Sequence, residues 1–430
     1  QPGAAMAAQP GAGQSRGSTA SWRGVNLGGW LVLERWMAPK LFEDLAPGAA
    51  DEAALMRLGG EEARRAVQQF RSDFVTEDDF RWLREVGRVN AVRLPLGYWC
   101  LDRHAGGTCF ASTQAFVDQA MDWAEQYGLG VLIDLHAAAG SQNGQHHSGS
   151  SGESRWLTEV NRTLNLEVLQ AWAKRWGRRK AFLGLGLGNE VAAPSEDDDD
   201  AGGGSPPAWC GATCAPCVAE PEDHWEQVVR FYADAARACR PHMHADALLV
   251  VDVCWDTGRW SGADLAAVAG PLALDYHHYE CMGDDEAASV EEHIRAEALA
   301  EAYDEAPAAL PLILGEFSLA LKPESAGYDT VPGWQRRFFK RQTRLAAEHG
   351  AGWFFWSYKL ARDGWAHWSF RECVERGWIP SRQGAAKSAG GADDGSSTAD
   401  TKGEGAGHDG SSSDADSGPA DVGAARPVAA

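Results

Sequence analysis

At 430 residues with 44% hydrophobic residues, the chain is long enough for one barrel-type domain or two ordinary ones. A formal net charge of −22 argues against nucleic acid and anionic membranes as partners and leaves neutral substrates open. No apolar run is long enough to span a bilayer, no signal peptide is visible before Trp22, and the nineteen Trp supply core rings and flat faces of the kind that hold sugars.

Residues 1–20 are Gly, Ala, Gln, Pro and Ser, too poor in large apolar groups to order, and read as a disordered arm. SWRGVNLGGWLVLERW follows, with a strand at about 22–27, a turn forced by Gly28-Gly29, and Glu34 in an apolar setting. Glu34 is either a charge at a helix start or a polar group lining a pocket. Residues 51–86 read as scaffold helices with TEDDF as a cap. NAVRLPLGYW carries Arg93 in mid-strand, where a charge is costly unless a carboxylate meets it, so one of the glutamates is its expected partner. An inert core ion pair predicts the same contact.

AFVDQAMDWAEQYGLG has helical spacing and stops at Gly128, and VLIDLH is a strand ending in His136. The polar loop AAAGSQNGQHHSG is suited to line a site; its adjacent His146 and His147, without carboxylate or Cys company, read as plain loop residues. After a basic helix over 165–179, AFLGLGLGNEVAAP is a short apolar run broken by Asn189-Glu190, which puts Glu190 at a strand tip. A helix-capping carboxylate is the bland alternative.

Residues 195–221 form an acidic, Gly/Pro-rich insertion. Its Cys210, Cys214 and Cys217, among nine Cys in all, fit a disulfide-bearing or thiol-containing loop better than a zinc knuckle, and Cys100 and Cys109 flank a short loop and could pair, as in an oxidising compartment. HWEQVVRFYADAARACR reads as a helix and ALLVVDV as a strand. LALDYHHYE ends a further strand on which His277 and Tyr279 share a face. A helix near 290–305 precedes LPLILGEF, which delivers Glu316 as the earlier run delivers Glu190. Paired carboxylates at strand tips are what glycosidic chemistry requires. A helix over 334–348 leads to GWFFWSY with Trp356, and residues 384–430 have the composition of a disordered tail.

The strands fall at about 22–27, 90–96, 129–135, 182–188, 247–253, 271–276, 311–315 and 352–357, each separated by helix-like text. This predicts an α/β fold, a (β/α)8 TIM barrel forming one catalytic domain over 21–383. The polar residues then gather at the carboxyl ends of the strands, the face on which barrel enzymes carry their sites.

RGVNLGGWLVLE, FVTEDDF, VRLPLGYW, LIDLH with AGSQNG, GNEV, HHY, GEFSLA and FFWSYK, in that order over about residues 22–380, resemble the glycoside hydrolase family 5 enzymes, and among them the fungal-type exo-β-1,3-glucanases. The resemblance implies Glu190 as acid/base and Glu316 as nucleophile of a retaining β-glycosidase. Arg93, His136, Asn189, His277, Tyr279 and Trp356 complete the site, and Glu34 and Asn143 match sugar-contacting positions. It further implies a β-glucan substrate, no cofactor, no metal, a monomer, and an extracellular or cell-wall location. Departures are N-E-V for N-E-P, Arg35 for the Pro after Leu-Glu, and Gln145-His146 for the aromatic and acidic pair after AGSQNG; these bear on subsite preference. The alternatives are a β-mannanase, an endo-β-1,4-glucanase or a glycolipid β-glycosidase of the same fold, or a non-catalytic carbohydrate-binding barrel. Chemically, Arg93 and Tyr279 are expected to keep Glu316 ionised, and a less charge-compensated setting is expected for Glu190. Asn189 suits a sugar 2-hydroxyl, and Trp356 offers the ring a flat face.

Overall fold

The computed structural model describes residues 22–191, 221–260, 264–268, 270–282 and 289–381. The N-terminal arm, the insertion up to residue 220 with its three Cys, and the C-terminal tail lie outside them. The strands are β1 (Trp22–Asn26), β2 (Ala91–Gly97), β3 (Gly130–Ala137), β4 (Phe182–Gly186), β5 (Leu248–Asp252), β6 (Leu272–His278), β7 (Leu312–Phe317) and β8 (Gly352–Phe355). Each runs parallel to the next and β8 pairs back onto β1, closing the predicted barrel. These short runs form strands because both faces are buried, one against the helices and one inside the barrel, so apolar residues serve at nearly every position.

Alternate residues point inward, and reading them from bottom to top of each strand explains where the site sits. Trp22, Ala91, Leu132, Leu248, Ala273, Ile313 and Phe354 form an apolar plug separate from the larger core between sheet and helices. One or two inward steps up the same strands stand Asn26, Arg93, Asp134, Asp252 and Asp275, all buried. Another step brings His136 and His277. The barrel therefore changes from apolar to charged along its axis, toward the carboxyl ends.

This charged layer needs space that a side chain on the neighbouring strand would take. A Cβ on Gly315 of β7 would stand 1.6 Å from Asp275 Oδ1, and one on Gly186 of β4 would stand 2.5 Å from Asp134 Oδ1. Gly315→Ala should push Asp275 off Arg93 and cost about 1–3 kcal/mol, as overpacking does, with a lower Tm in calorimetry and reduced turnover. An unchanged Tm would mean that the aspartate is free to move.

Two sequence expectations need amending, and a third, the 51–86 scaffold helices, holds and gains detail. The 290–305 helix is two, Val290–Arg295 and Glu297–Glu305, because Ala296 between them adopts a left-handed φ of 49°. The 51–86 region divides into Glu52–Phe74 and Glu77–Glu85, the latter begun by the expected cap, with Asp79 accepting from Thr76 N at 2.9 Å. Cys100 and Cys109 do not pair; six cysteines are free among the described residues. Cys100 packs in the main core, where burial pushes its thiol up to about 12, whereas Cys109 packs against separate clusters around Leu33 and Trp99. The thiols face different interiors.

Candidate active site

Arg93 is the hub of the site. Its guanidinium meets Glu316 Oε1 at 2.7 Å, Asp134 Oδ2 at 3.0 Å and Asp275 Oδ2 at 3.7 Å, and donates to Asn189 Oδ1 at 2.7 Å and Asn26 Oδ1 at 2.9 Å. Burial alone would drive the guanidinium toward neutrality; Asp134, Glu316 and Asp275 outweigh it and hold its pKa above the usual value. The mid-strand charge thus meets one of the two glutamates, as its cost requires, together with two aspartates. Those aspartates were legible as lone acids in the apolar runs VLIDLH and LALDY, by the same reasoning that singles out Arg93.

Glu316 lies on β7, in register with His277 on β6. Tyr279 donates its hydroxyl to Glu316 Oε2 at 2.7 Å, so both oxygens of this carboxylate carry a donor. Burial and the Glu316 charge keep the Tyr279 hydroxyl protonated, its pKa well above the usual value.

Glu190 follows β4 in a left-handed conformation with φ of 46°, strained for a side-chain-bearing residue. Three bonds hold the turn: Glu190 N donates to Asp252 Oδ2 at 2.7 Å, Asn189 N to Leu135 O at 3.2 Å, and Asn143 Nδ2 to Glu190 O at 3.1 Å. Asn143 thus anchors the backbone of Glu190, and its Oδ1 accepts from Gln145 N at 3.0 Å. Gln142 adds a further strut, donating to His136 O at 2.8 Å and Asn189 O at 2.9 Å. Burial pushes Asp252 up to about 7, so this anchor is poised to lose its charge near neutrality.

His277 bridges the two glutamates, with Nδ1 at 2.7 Å from Glu190 Oε1 and 3.6 Å from Glu316 Oε2. One atom from each of the three groups lies within 4.8 Å of the others. Such a cluster could in geometry hold a cation, but the imidazole itself supplies the positive charge. Burial works against its proton, yet Glu316, Asp275 and Glu190 hold its pKa well above the usual value. The less charge-compensated setting expected for Glu190 is therefore not found. Burial raises its pKa, but the His277 hydrogen bond with His147, His277 and His136 charges brings it down to about 2. Burial first, with the Glu190 charge added, pushes Glu316 up. Two carboxylates and an imidazole at this spacing titrate as a unit.

The remaining expected residues line the same mouth. His136 bonds Asp134 Oδ2 at 3.0 Å and stacks on Trp356, with ring centroids 5.5 Å apart and planes 10° apart. Trp356 immediately follows β8 and packs on Met37 and Trp368. Glu34 accepts from Trp36 Nε1 at 2.8 Å; burial pushes its carboxyl up to about 7 against the pull of His136, and its Oε1 has no hydrogen-bond partner. Asn189 Nδ2 is likewise buried and unpartnered. His147, read from sequence as a plain loop residue, is instead buried with Nε2 at 3.4 Å from Glu190 Oε2. Its carboxylate company comes from a residue 43 positions away, which adjacency in sequence does not reveal.

A closed parallel barrel with two glutamates facing each other at its carboxyl end, one clamped by Arg and Tyr, is the layout of a barrel glycosidase. Residues 58–361 match the family described as "Cellulase (glycosyl hydrolase family 5)", and the chain belongs to that family and is a glycosidase. It is 29% identical over 394 residues to the "Probable glucan 1,3-beta-glucosidase A" of Emericella nidulans, covering 83% of this chain and 89% of that one. It is 27% identical over 385 residues to the "Glucan 1,3-beta-glucosidase 1" of Schizosaccharomyces pombe, covering 83% and 87%. Among solved structures, a rutinosidase from Aspergillus niger shares the fold with a TM-score of 0.65 at 18% identity, covering 84% of this chain and 99% of that chain.

Proposed function

We propose that this protein is a retaining β-glucosidase that releases glucose from the ends of β-1,3-glucan. The observation that carries the reading is the Glu190–His277–Glu316 cluster, in which one atom of each group lies within 4.8 Å of the others, closer to the ~5–5.5 Å between the carboxyls of a retaining glycosidase than to the ~6.5–9.5 Å of an inverting one. Glu316 attacks the anomeric carbon with Arg93 and Tyr279 balancing its charge; Glu190 protonates the leaving oxygen, and the glycosyl–Glu316 ester forms as the glycosidic bond breaks. Water then attacks the ester while Glu190 takes its proton, restoring both carboxyls.

The proton inventory of the free site fits this scheme. One proton shared across the 2.7 Å bond between His277 and Glu190 serves as the acid, since moving it to Glu190 needs no proton from solvent. Asn189 Nδ2 and Glu34 Oε1, buried and unpartnered, are suited to bond sugar hydroxyls, with Trp356 as the apolar face. Glucan as substrate is supported by the names of the relatives and by the ordered motifs, and an extracellular or cell-wall place of action follows from that substrate. No helix among the described residues is long and apolar enough to cross a membrane.

Product analysis on laminarin, cellulose, mannan and glucosylceramide tests the reading. Laminarin should be hydrolysed with glucose as the early product. Oligosaccharides appearing first would overturn exo action, and cleavage of mannan or glycolipid alone would overturn the choice of substrate.

A further inference from the structure

We propose that Asp252, at the top of β5, is a positioning residue for the acid/base: its carboxylate clamps the backbone of Glu190 from the neighbouring strand, and protonation of a poor leaving group depends on that clamp. This rests on the reading of Glu190 as the acid/base. The two oxygens of Asp252 hold two different turns. Oδ2 accepts from Glu190 N at 2.7 Å, in the turn after β4, and Oδ1 accepts from Cys254 N, in the turn after β5. Both donors belong to residues in the left-handed region, Glu190 with φ of 46° and Cys254 with φ of 53°, and Trp255 beyond it has φ of 60°. One buried side chain therefore pins two turns that side-chain-bearing residues adopt only under constraint.

The clamp is itself fixed by the sheet. Trp260 Nε1 donates to Asp252 O at 2.8 Å, Val253 N to Asp275 O at 3.0 Å, and Leu187 N to Val250 O at 3.0 Å, so the ladder through β4, β5 and β6 sets where the carboxylate stands. That place is a costly one for an acid. Asp252 is buried, and among the described residues no Lys, Arg or His nitrogen forms an ion pair with it. Burial raises its pKa, and Asp275 and Glu190 add to the rise against the pull of the His277 charge and the Cys254 N–H. A buried acid without a paired cation is held at the expense of stability, and an amide would fill the same space with one acceptor oxygen in place of two. What the carboxylate adds is the second acceptor, and the two acceptors meet the two backbone N–H groups.

The side chain of Glu190 goes where this backbone sends it. Its N–H is held by Asp252 and its carbonyl by Asn143 Nδ2 at 3.1 Å, and with the peptide so fixed Oε1 stands 2.7 Å from His277 Nδ1. Without Asp252 the buried Glu190 N–H lacks an acceptor, and relaxation of the left-handed φ toward an ordinary value swings the Cα–Cβ bond and the carboxyl with it. A displacement on the order of 1 Å at a reacting group costs about 10²-fold. The loss falls on the step that needs the proton. A poor leaving group departs only as Glu190 protonates it and a good one leaves unaided, while Glu316 on β7 is held separately, by Arg93 and Tyr279. The proton passes from Glu190 to the leaving oxygen in the first step and returns from water in the second; Asp252 gains and loses none.

The test measures kcat/KM of the full chain and its Asp252→Asn and Asp252→Leu variants on laminarin, which has a poor leaving group, and on dinitrophenyl β-glucoside, which has a good one. Both substitutions remove the charge at similar volume and only Asn keeps an acceptor oxygen, so the difference between them reports the hydrogen bond. Asp252→Leu should lose about 10²-fold on laminarin and about threefold or less on the activated glucoside, and Asp252→Asn about tenfold on laminarin. Adding Asp252→Leu to Glu190→Ala should lower laminarin cleavage by no more than about threefold further, because a group that acts through Glu190 then has nothing to act on. Equal losses on the two substrates, Asn and Leu behaving alike, or the two losses multiplying in full in the double variant would overturn the proposal. Should the Leu variant fail to fold, Asp252→Asn alone and combined with Glu190→Ala reads the same substrate difference and the same cycle. Glu190→Ala by itself separates the two readings. If it loses kcat/KM on the activated glucoside as fully as on laminarin, Glu190 is not the acid; if it spares the activated glucoside and the Asp252 variants do not discriminate between substrates, only the role of Asp252 fails.

Discussion

Glu316→Ala is expected to lower kcat on the order of 10⁴ to 10⁶-fold on every substrate, because it removes the group that forms the covalent intermediate. The expectation follows from the geometry around its two oxygens. Arg93 and Tyr279 each donate at 2.7 Å, which aligns the carboxylate and balances its charge without shielding it from the barrel mouth. Azide should restore part of the activity by attacking from the vacated side, giving a glycosyl azide of inverted configuration, whereas wild type releases sugar of retained configuration. NMR of the anomeric proton distinguishes the two. Inverted sugar from wild type would sink the two-step scheme, and retained azide product from this variant would mean that the two glutamates have exchanged roles.

Arg93→Met should damage both activity and stability. It leaves Asp134, Asp275 and Glu316 buried together without the guanidinium that all three approach, and stripping one partner from a buried charge cluster costs about 3–5 kcal/mol. Turnover should fall by about 10² to 10³-fold, the usual effect of losing a preorganised charge contact at a reacting group. The sign of the pH dependence is diagnostic. In wild type, burial raises Asp134, but Arg93 and His136 more than offset it and hold the pKa below its usual value, so its contribution is present at neutral pH and lost on acidification. In the variant the three carboxylates have raised pKa values, and their penalty disappears as they protonate. The Tm gap between the two proteins should therefore be widest near neutrality and shrink toward about pH 4. A gap constant with pH would point to lost packing of the Arg93 stem in place of lost charge.

The same residue shows how far the sequence reaches. A charge amid Val, Leu and Pro demands a counter-charge, and the demand is visible in NAVRLPLGYW without any coordinates; which carboxylates answer it is not. Asp134 and Asp275 make the same demand in their own strands, and reading all three together would have found the cluster. His147 gave no such signal. Its surroundings in sequence are Gly, Ser and His, and nothing local marks one histidine of the pair as buried and the other as partly exposed. The pairing of Cys100 and Cys109 was equally underdetermined, since short separation permits a disulfide and only side-chain direction decides it.

The sequence by itself determined the barrel, its strands to within a few residues, and the two glutamates at its carboxyl end. Buried strands must be apolar throughout and must end where polar residues begin, and both facts are local. Tertiary structure alone decided that His277 binds Glu190 from 87 positions away and that Arg93 holds Glu316 across 223. It also decided that Gly315 and Gly186 yield their space to aspartates on neighbouring strands. These depend on barrel closure and on the register shift between Tyr276 and His277 that brings His277 opposite Glu316, quantities set by the packing of all eight strands together and by no segment alone.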